Sequence, residues 1–173
     1  MNGGTVAGVP PGWVQIAAII AIQNPHVYSY YHVAGAGEPA TYTWTLSGAV
    51  ASSGGIARYS GVNNASPLAA TSTTASSALA VSSLTVPAVT TAVPDAMVIG
   101  AAAINSSNTG ITITSPAGMT ERWDLGGKRQ DYADVLQPTA GSSGNKIWMF
   151  FDAMGNPTAR EAAGWLAALR PAP

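Results

Sequence analysis

Residues 96–104 read AMVIGAAAI, an apolar stretch that predicts a strong β-strand. The strand precedes the turn sequence PAGM at 116–119, which matches PPGW at 10–13. Only Met1 to Val9 stand before the earlier turn, so the first half of the chain lacks an opening strand of this kind. An uncovered sheet edge is a template for another chain, and we therefore expect a neighbouring subunit or another protein to cover it.

The two halves of the chain follow one plan. SYYHVAG at 29–35 is answered by MFFDAMG at 149–155, and GIARY at 55–59 is answered by WLAAL at 165–169. Because the order of these segments is kept, only loop lengths differ between the halves. Two copies of one β-unit predict an all-β, two-sheet sandwich of the jelly-roll type. The degenerate repeats would span about 13–90 and 91–173 of a single domain, after an N-terminal arm at 1–12.

Alternating residues predict several further strands. His26–Val33 alternates so that His26, Tyr28, Tyr30 and His32 share one face. Residues 65–94 resemble a low-complexity linker, with short strands at 79–81 and 84–87. The other predicted elements are a buried strand at 13–22, strands at 41–46, 54–59, 111–114, 119–125, 147–151 and 165–169, an exposed loop with one paired strand at 126–144, and a loop at 156–163.

Charge is scarce and unevenly spread in this 173-residue chain. Only 9% of the residues are charged, against about a quarter in ordinary domains, and residues 1–37 and 59–94 carry no charge. Long uncharged faces are typical of a protein that is displayed outside cells or packed into an assembly. A compositional bias toward Ala and Thr is the alternative explanation.

Composition also excludes several classes of partner. The net charge of −1 provides no basic surface for nucleic acid, and the absence of cysteine excludes disulfides and thiolate metal sites. The residues after Met1 show no secretion signal, and the longest apolar stretch, 14–22, is about half the length of a membrane helix. We predict neither a nucleic-acid partner nor a membrane partner.

No residue pattern indicates catalysis or a cofactor. The two histidines lie six residues apart, roughly 20 Å along one strand, so they cannot share a metal within one chain. The sequence has no Gly-X-Ser-X-Gly, and Glu38, Asp95, Asp152 and Glu161 stand singly on predicted loops. Asp131 and Asp134 offer calcium-binding oxygens, but no calcium-loop spacing surrounds them. We therefore predict a non-enzymatic protein without a cofactor or a metal.

Aromatic and charged residues supply the candidate contacts. Trp13, Trp44 and Trp165 recur at repeat positions and are predicted to be core. The segment 121–134 holds seven of the fifteen charged residues and forms either a solvated hairpin or a contact zone with a neighbouring subunit. The predicted contacts with a partner or a glycan are His26, Tyr28, Tyr30, His32, Glu121, Arg122, Lys128, Arg129 and Asp131.

Five motifs are spread along nearly the whole length of the chain: PPGW at 10–13, YYHVAGAGEPATYTWTLSG at 30–48, SSGGIARYSGVNNASP at 52–67, PAGMTERWD at 116–124 and GWLAALRPAP at 164–173. As a set they resemble a family of uncharacterised β-sandwich modules found in bacteriophage structural proteins and bacterial surface proteins. The resemblance implies a β-sandwich with a virion or surface role, and it implies no catalytic residues.

These observations together predict a virion structural protein of a bacteriophage. It would decorate the head or belong to the tail, and act by packing against capsid or tail proteins and against copies of itself. The alternative is a secreted or cell-surface module for carbohydrate binding or adhesion, which would place the protein outside the cell.

Overall fold

A computed structural model describes residues 4–20, 24–125 and 130–173. Within these ranges the chain is all-β and no residue is helical, which confirms the predicted fold class. None of the described residues belongs to a helix able to cross a membrane. The strands are β1 (Val6–Gly8), β2 (Val14–Ile19), β3 (Val27–Tyr31), β4 (Thr45–Leu46), β5 (Leu68–Val81), β6 (Ser83–Val86), β7 (Thr90–Thr91), β8 (Ala96–Ile104), β9 (Thr112–Thr114), β10 (Thr120–Leu125), β11 (Gln130–Gln137), β12 (Gly141–Ser142), β13 (Lys146–Phe151) and β14 (Arg160–Leu169).

A five-stranded antiparallel sheet with the order β10-β11-β8-β14-β5 forms the centre of the fold. The predicted strand at 96–104 is confirmed as β8 and lies in the middle of this sheet. Nearly every residue of β8 and β14 is buried, although successive side chains point to opposite faces. Both faces of the sheet must therefore be covered.

One face of the central sheet packs against a second sheet with the order β6-β13-β9. Trp148 and Phe150 of β13 are fully buried and share a core with Val98 of β8 and Leu166 of β14. Gly100 makes room for them, because a Cβ atom there would lie 2.5 Å from Leu166 and 3.1 Å from Trp148. Two sheets that share a core in this way are consistent with a β-sandwich.

The opposite face of the central sheet is covered by a third layer. The β2–β3 hairpin contributes Ala17 and Ile19, which pack in one cluster with Ile99 and Trp165 of the central sheet. Residues 57–62 extend this cover, with Tyr59 packed against the same cluster. The two-sheet prediction did not include this layer, which the first part of the chain supplies.

Several predicted strand boundaries are wrong. Residues 41–46 alternate in exposure as predicted, but only Thr45–Leu46 pairs as a strand, and residues 54–59 form none. The expected linker at 65–94 contains the 14-residue strand β5, which is the longest described strand. In the predicted strand at 13–22 only Ala17 and Ile19 are buried, and residues 21–22 lie outside the described ranges.

Two predicted loops differ from the structure. The one paired strand expected within the segment 126–144 is present as β11, but β11 is largely buried in the central sheet, whereas the segment was expected to be exposed. The predicted loop at 156–163 already contains the start of β14 at Arg160. Both strands have a paired strand on each side, and the layers on the two faces of the central sheet cover their side chains.

The matched segments of the proposed repeats pair differently. β3 pairs with β2, whereas its counterpart β13 lies between β6 and β9. In addition, the described part of the predicted arm is held within the chain, since Val6–Gly8 pairs with Thr45–Leu46. A Cβ atom at Gly4 would meet the side chain of Val50 at 2.6 Å, which shows how closely this segment is packed.

Candidate functional site

The predicted contact face of β3 is mostly turned into the protein. His26, Tyr28 and Tyr30 are half-buried, and His26 Nδ1 donates a 2.8 Å hydrogen bond to the Gly4 carbonyl. The hydroxyl of Tyr28 is buried and has no hydrogen-bond partner among the described residues. Burial, and then the neighbouring Tyr28, raise the pKa of Tyr30. Tyr28 and Tyr30 are therefore not an exposed aromatic platform, and the prediction of surface tyrosines here is corrected.

His32 belongs to a cluster of aromatic rings at the end of this layer. Its ring stacks on Trp13 with the centroids 5.5 Å apart, and Trp13 in turn makes edge contacts with Tyr42 and Trp44 at 5.0 and 4.9 Å. Trp13 and Trp44 are half-buried rather than fully core, whereas Trp165 is buried as predicted. The cluster brings together residues from three separate segments of the sequence.

The PPGW turn positions His32 in this cluster. The backbone N–H of Trp13 donates to the Pro10 carbonyl at 3.3 Å, and Gly12 has a φ of +81°, which side-chain-bearing residues rarely adopt. His32 Nδ1 donates to the Gly12 carbonyl at 2.9 Å, and a Cβ atom at Gly12 would lie 2.9 Å from the histidine ring. Glycine is thus required here both for backbone conformation and for space.

Glu38 fixes the loop that follows β3. Its Oε1 atom accepts a hydrogen bond from the Gly35 backbone N–H and lies 3.2 Å from His32 Nε2, while Oε2 accepts from the Tyr42 hydroxyl. Sequence reasoning placed Glu38 singly on a loop and missed this role. The six-residue spacing from His32 gave no signal, because only the turn at 35–38 brings the two side chains together.

The pKa shifts of this pair define a pH window. The Gly12 carbonyl, and then Glu38, raise the pKa of His32. The Gly35 N–H, and then His32, lower the pKa of Glu38. The histidine contribution to stability is complete below its ordinary pKa and is lost as the pH rises through the raised value. The glutamate contribution to stability is complete above the ordinary pKa of glutamate and is lost as the pH falls through the lowered value. The contact between His32 and Glu38 therefore stabilises the loop most at a pH between the ordinary pKa values of glutamate and histidine.

A cleft of about 580 Å³ opens beside the cluster. The turn at Pro10–Pro11 forms part of its wall, and the loop from His32 to Thr43 forms the rest. His32 and Tyr42 line the cleft, together with the exposed residues Pro39, Thr41 and Thr43. A volume of this size is within the usual range for small-molecule sites.

The predicted charged contact zone is largely paired within the protein. Arg122 makes two hydrogen bonds of 2.7 and 2.8 Å to Asp134, which is 1% exposed and also accepts a 2.6 Å bond from the Tyr59 hydroxyl. A bulge between Glu121 and Trp123 leaves Arg122 as the extra residue of β10. This pair attaches residue 59 of the third layer to the edge of the central sheet, so Arg122 is half-exposed but already engaged.

Asp131 is fully buried, which corrects its prediction as a surface contact. It accepts hydrogen bonds from Trp148 Nε1 at 2.6 Å and from the Ser115 hydroxyl at 2.8 and 2.9 Å. Burial raises the pKa of Asp131 to about 6, and the nearby Glu121 carboxyl acts in the same direction, while the bonds from Ser115 and Trp148 oppose it. The residue is thus a buried acid between the two main sheets.

Asp131 and Asp134 do not form the calcium site that was considered for them. They are three residues apart on β11 and point to opposite faces, Asp131 toward Trp148 and Asp134 toward Tyr59. In the described ranges no group of three His, Asp or Glu side chains is placed to hold a metal ion. The predicted contacts Lys128 and Arg129 lie outside the described residues.

A second surface feature is the outer face of the sheet β6-β13-β9. Ile147 and Met149 of β13 are 47% and 41% exposed there, and the half-buried Phe151 follows on the same face. Their strand partners on this face are Thr85, Ser83, Thr114 and Thr112. Among the described residues of β6, β9 and β13, no charged side chain lies on this outer face. Sequence analysis did not single it out, because β13 was read only as an apolar strand.

Comparison of the chain with protein-family models, with curated proteins and with solved structures finds no match.

Proposed function

We propose that this chain is a non-enzymatic virion structural protein of a bacteriophage, a head-decoration or tail-associated protein that packs against capsid or tail proteins and against its own copies. The observation that carries the proposal is the uncharged outer face of β6-β13-β9, on which Ile147 and Met149 are exposed. The resemblance to phage β-sandwich modules supplies the virion setting.

The outer face is unusual for a sheet that borders water. Antiparallel sheets with one solvated face normally alternate apolar residues inside with polar and often charged residues outside. Here β13 is buried at Trp148 and Phe150, yet its outward positions Ile147 and Met149 are also large and apolar. Contact with another protein would remove this apolar surface from water, which is the main favourable term in association.

The few charged residues add to the same argument. Glu38, Asp131 and Asp134 are occupied by hydrogen bonds within the protein, and Asp152 accepts bonds from its own loop at Met154 and Asn156. Asp131 and Asp134 are buried, so at most thirteen of the fifteen charged residues are at the surface to keep a free monomer soluble. A subunit inside an assembly does not need that surface charge.

Lysine at Ile147 and at Met149 tests the proposal. Both side chains are exposed, so we expect the double variant Ile147→Lys/Met149→Lys to change the free energy of unfolding by less than about 1 kcal/mol. A buried lysine without a partner is costly, so incorporation into particles should fall at least about tenfold. The measurement is the amount of variant protein in particles purified after complementation.

The matched control is Leu79→Lys, since Leu79 is 80% exposed and belongs to β5 of the central sheet rather than to β6, β13 or β9. Its incorporation should equal that of the unmodified chain. Equal incorporation of the double variant would contradict the proposed contact face.

The alternative function is a secreted or cell-surface module for carbohydrate binding or adhesion. One observation favours it, namely the aromatic and proline-lined cleft beside His32 and Tyr42. In this alternative the protein acts outside the cell, and the uncharged sheet face contacts another module of the same surface protein.

The jelly-roll arrangement of two degenerate repeats is part of the proposal. Its best support is the pair of matched turns. Trp13 N–H donates to Pro10 and Met119 N–H donates to Pro116, and the intervening Gly12 and Gly118 have φ angles of +81° and +80°. We propose that the first half kept the turn while its strands became the third layer.

A further inference from the structure

We infer that the cleft between Pro10–Pro11 and the loop 35–43 is a binding site for a neutral saccharide. The site uses none of the residues of the β13 face, so it adds a recognition function to an assembly subunit. It does not depend on whether the protein belongs to a virion or to a cell surface.

The walls of the cleft offer the two kinds of contact that a sugar ring needs. Pro11, Pro39 and the ring of Tyr42 supply apolar surface for the C–H faces of a pyranose. The side chains of Thr41 and Thr43 are exposed beside it and supply hydroxyl groups that both donate and accept hydrogen bonds. At about 580 Å³, the cleft has room for one or two sugar rings.

The charged groups of the site already have hydrogen-bond partners within the protein, and the site therefore selects a neutral ligand. Both carboxylate oxygens of Glu38 accept bonds from within the loop, and both ring nitrogens of His32 have partners in Gly12 and Glu38. Among the residues that the structure describes, the lining contains no Lys or Arg to pair with an acidic sugar or a phosphate. A charged ligand would lose its hydration here without gaining an opposite charge.

The loop is also fixed before a ligand arrives. Glu38 connects the Gly35 backbone, His32 and Tyr42, and the stacked Trp13 supports the histidine ring from behind. Ordering of a loop on binding costs affinity, so a loop that is already ordered favours weak ligands such as sugars. An exposed loop that served only as a connection would not require this network.

A proline-rich peptide is the competing occupant, and the geometry favours the sugar. Peptides in the polyproline II conformation bind grooves that are lined by exposed aromatic rings. Trp13 and Trp44 are absent from the lining of this cleft and make edge contacts with each other, with centroids 4.9 Å apart. The exposed apolar groups of the wall are instead mainly prolines.

The test uses the purified chain and an array of neutral glucose, galactose, mannose and N-acetylglucosamine oligomers, with sialylated glycans and a proline-rich peptide as competing probes. We expect one neutral series to bind with a Kd between about 10 µM and 1 mM. The double variant Thr41→Val/Thr43→Val should weaken that binding at least tenfold in a calorimetric titration. The matched control Thr85→Val, an exposed threonine of β6 outside the cleft, should bind as the unmodified chain does.

A second variant distinguishes a loss of sugar binding from a loss of folding. Tyr42→Phe retains the ring but removes the hydroxyl that donates to Glu38, so it should weaken binding while the circular dichroism spectrum stays unchanged. The inference is overturned if no neutral saccharide binds, if only the acidic glycan or the peptide binds, or if the threonine variant binds as tightly as the control. Incorporation into particles is measured separately. A failure to bind sugar therefore does not contradict the proposed virion role, and absence of the protein from particles does not contradict the saccharide site.

Discussion

Replacement of Trp148 by alanine is expected to lower the free energy of unfolding by about 3–5 kcal/mol, a large part of the stability of an ordinary domain. The side chain is fully buried between the two main sheets and packs over Gly100. Its Nε1 atom donates to Asp131, so the alanine variant also removes a hydrogen bond from a buried acid. Urea denaturation followed by circular dichroism gives the free energy directly.

Trp44→Ala is the matched control for this prediction. Trp44 is half-buried, and its Nε1 atom has no hydrogen-bond partner among the described residues, so its loss should cost less than half as much. If Trp148→Ala and Trp44→Ala lowered the free energy of unfolding equally, this would contradict the conclusion that the core lies between the two main sheets.

Asp131→Asn is expected to stabilise the protein at neutral pH by up to about 3 kcal/mol. Burial raises the pKa of Asp131 from 3.8 to about 6, so the folded state binds this proton more tightly than the unfolded state does. The contribution to stability is therefore complete below about pH 4 and is lost as the pH rises through about 6. Asparagine keeps the acceptor oxygen for Trp148 but never becomes charged.

The difference between variant and unmodified chain isolates this effect. Other acids such as Glu38, whose pKa is lowered, change stability equally in both proteins. The difference in the free energy of unfolding should be near zero at pH 4 and reach its full value above pH 7. The Glu121 carboxyl, which also raises the pKa of Asp131, is present in both proteins. Asp95→Asn, which changes an exposed acid in the turn before β8, is the control. A difference that is constant with pH would show that Asp131 is not a proton-binding group of the fold.

The sequence was most informative where side chains differ strongly in polarity. Residues 96–104 are apolar throughout, and they form the central strand that was predicted. β5 was missed because its Ala, Ser and Thr residues show almost no contrast between the two faces, although the strand is 14 residues long. The burial of β11 was missed because Asp131 and Asp134 look like surface residues until their partners Trp148 and Arg122 are known.

The candidate site was predicted in part. His32 was identified from alternation along β3 together with Tyr28 and Tyr30, which are half-buried, whereas Trp13, which stacks on His32, was predicted to be core. Glu38 and Tyr42 could not be recognised, because their roles depend on a turn that folds back onto His32. The apolar outer face of β13 was not predicted from the sequence, because a run of apolar residues does not reveal which of them face water.

The central claim is that this chain is a component of a phage particle. Quantitative mass spectrometry of purified particles from the source of the gene tests it most directly. The account predicts that the chain is present in a fixed ratio to the major capsid or tail protein and remains bound through density-gradient purification. Absence of the chain from particles that contain all other virion proteins, together with its recovery from the culture medium or the cell surface, would contradict the account.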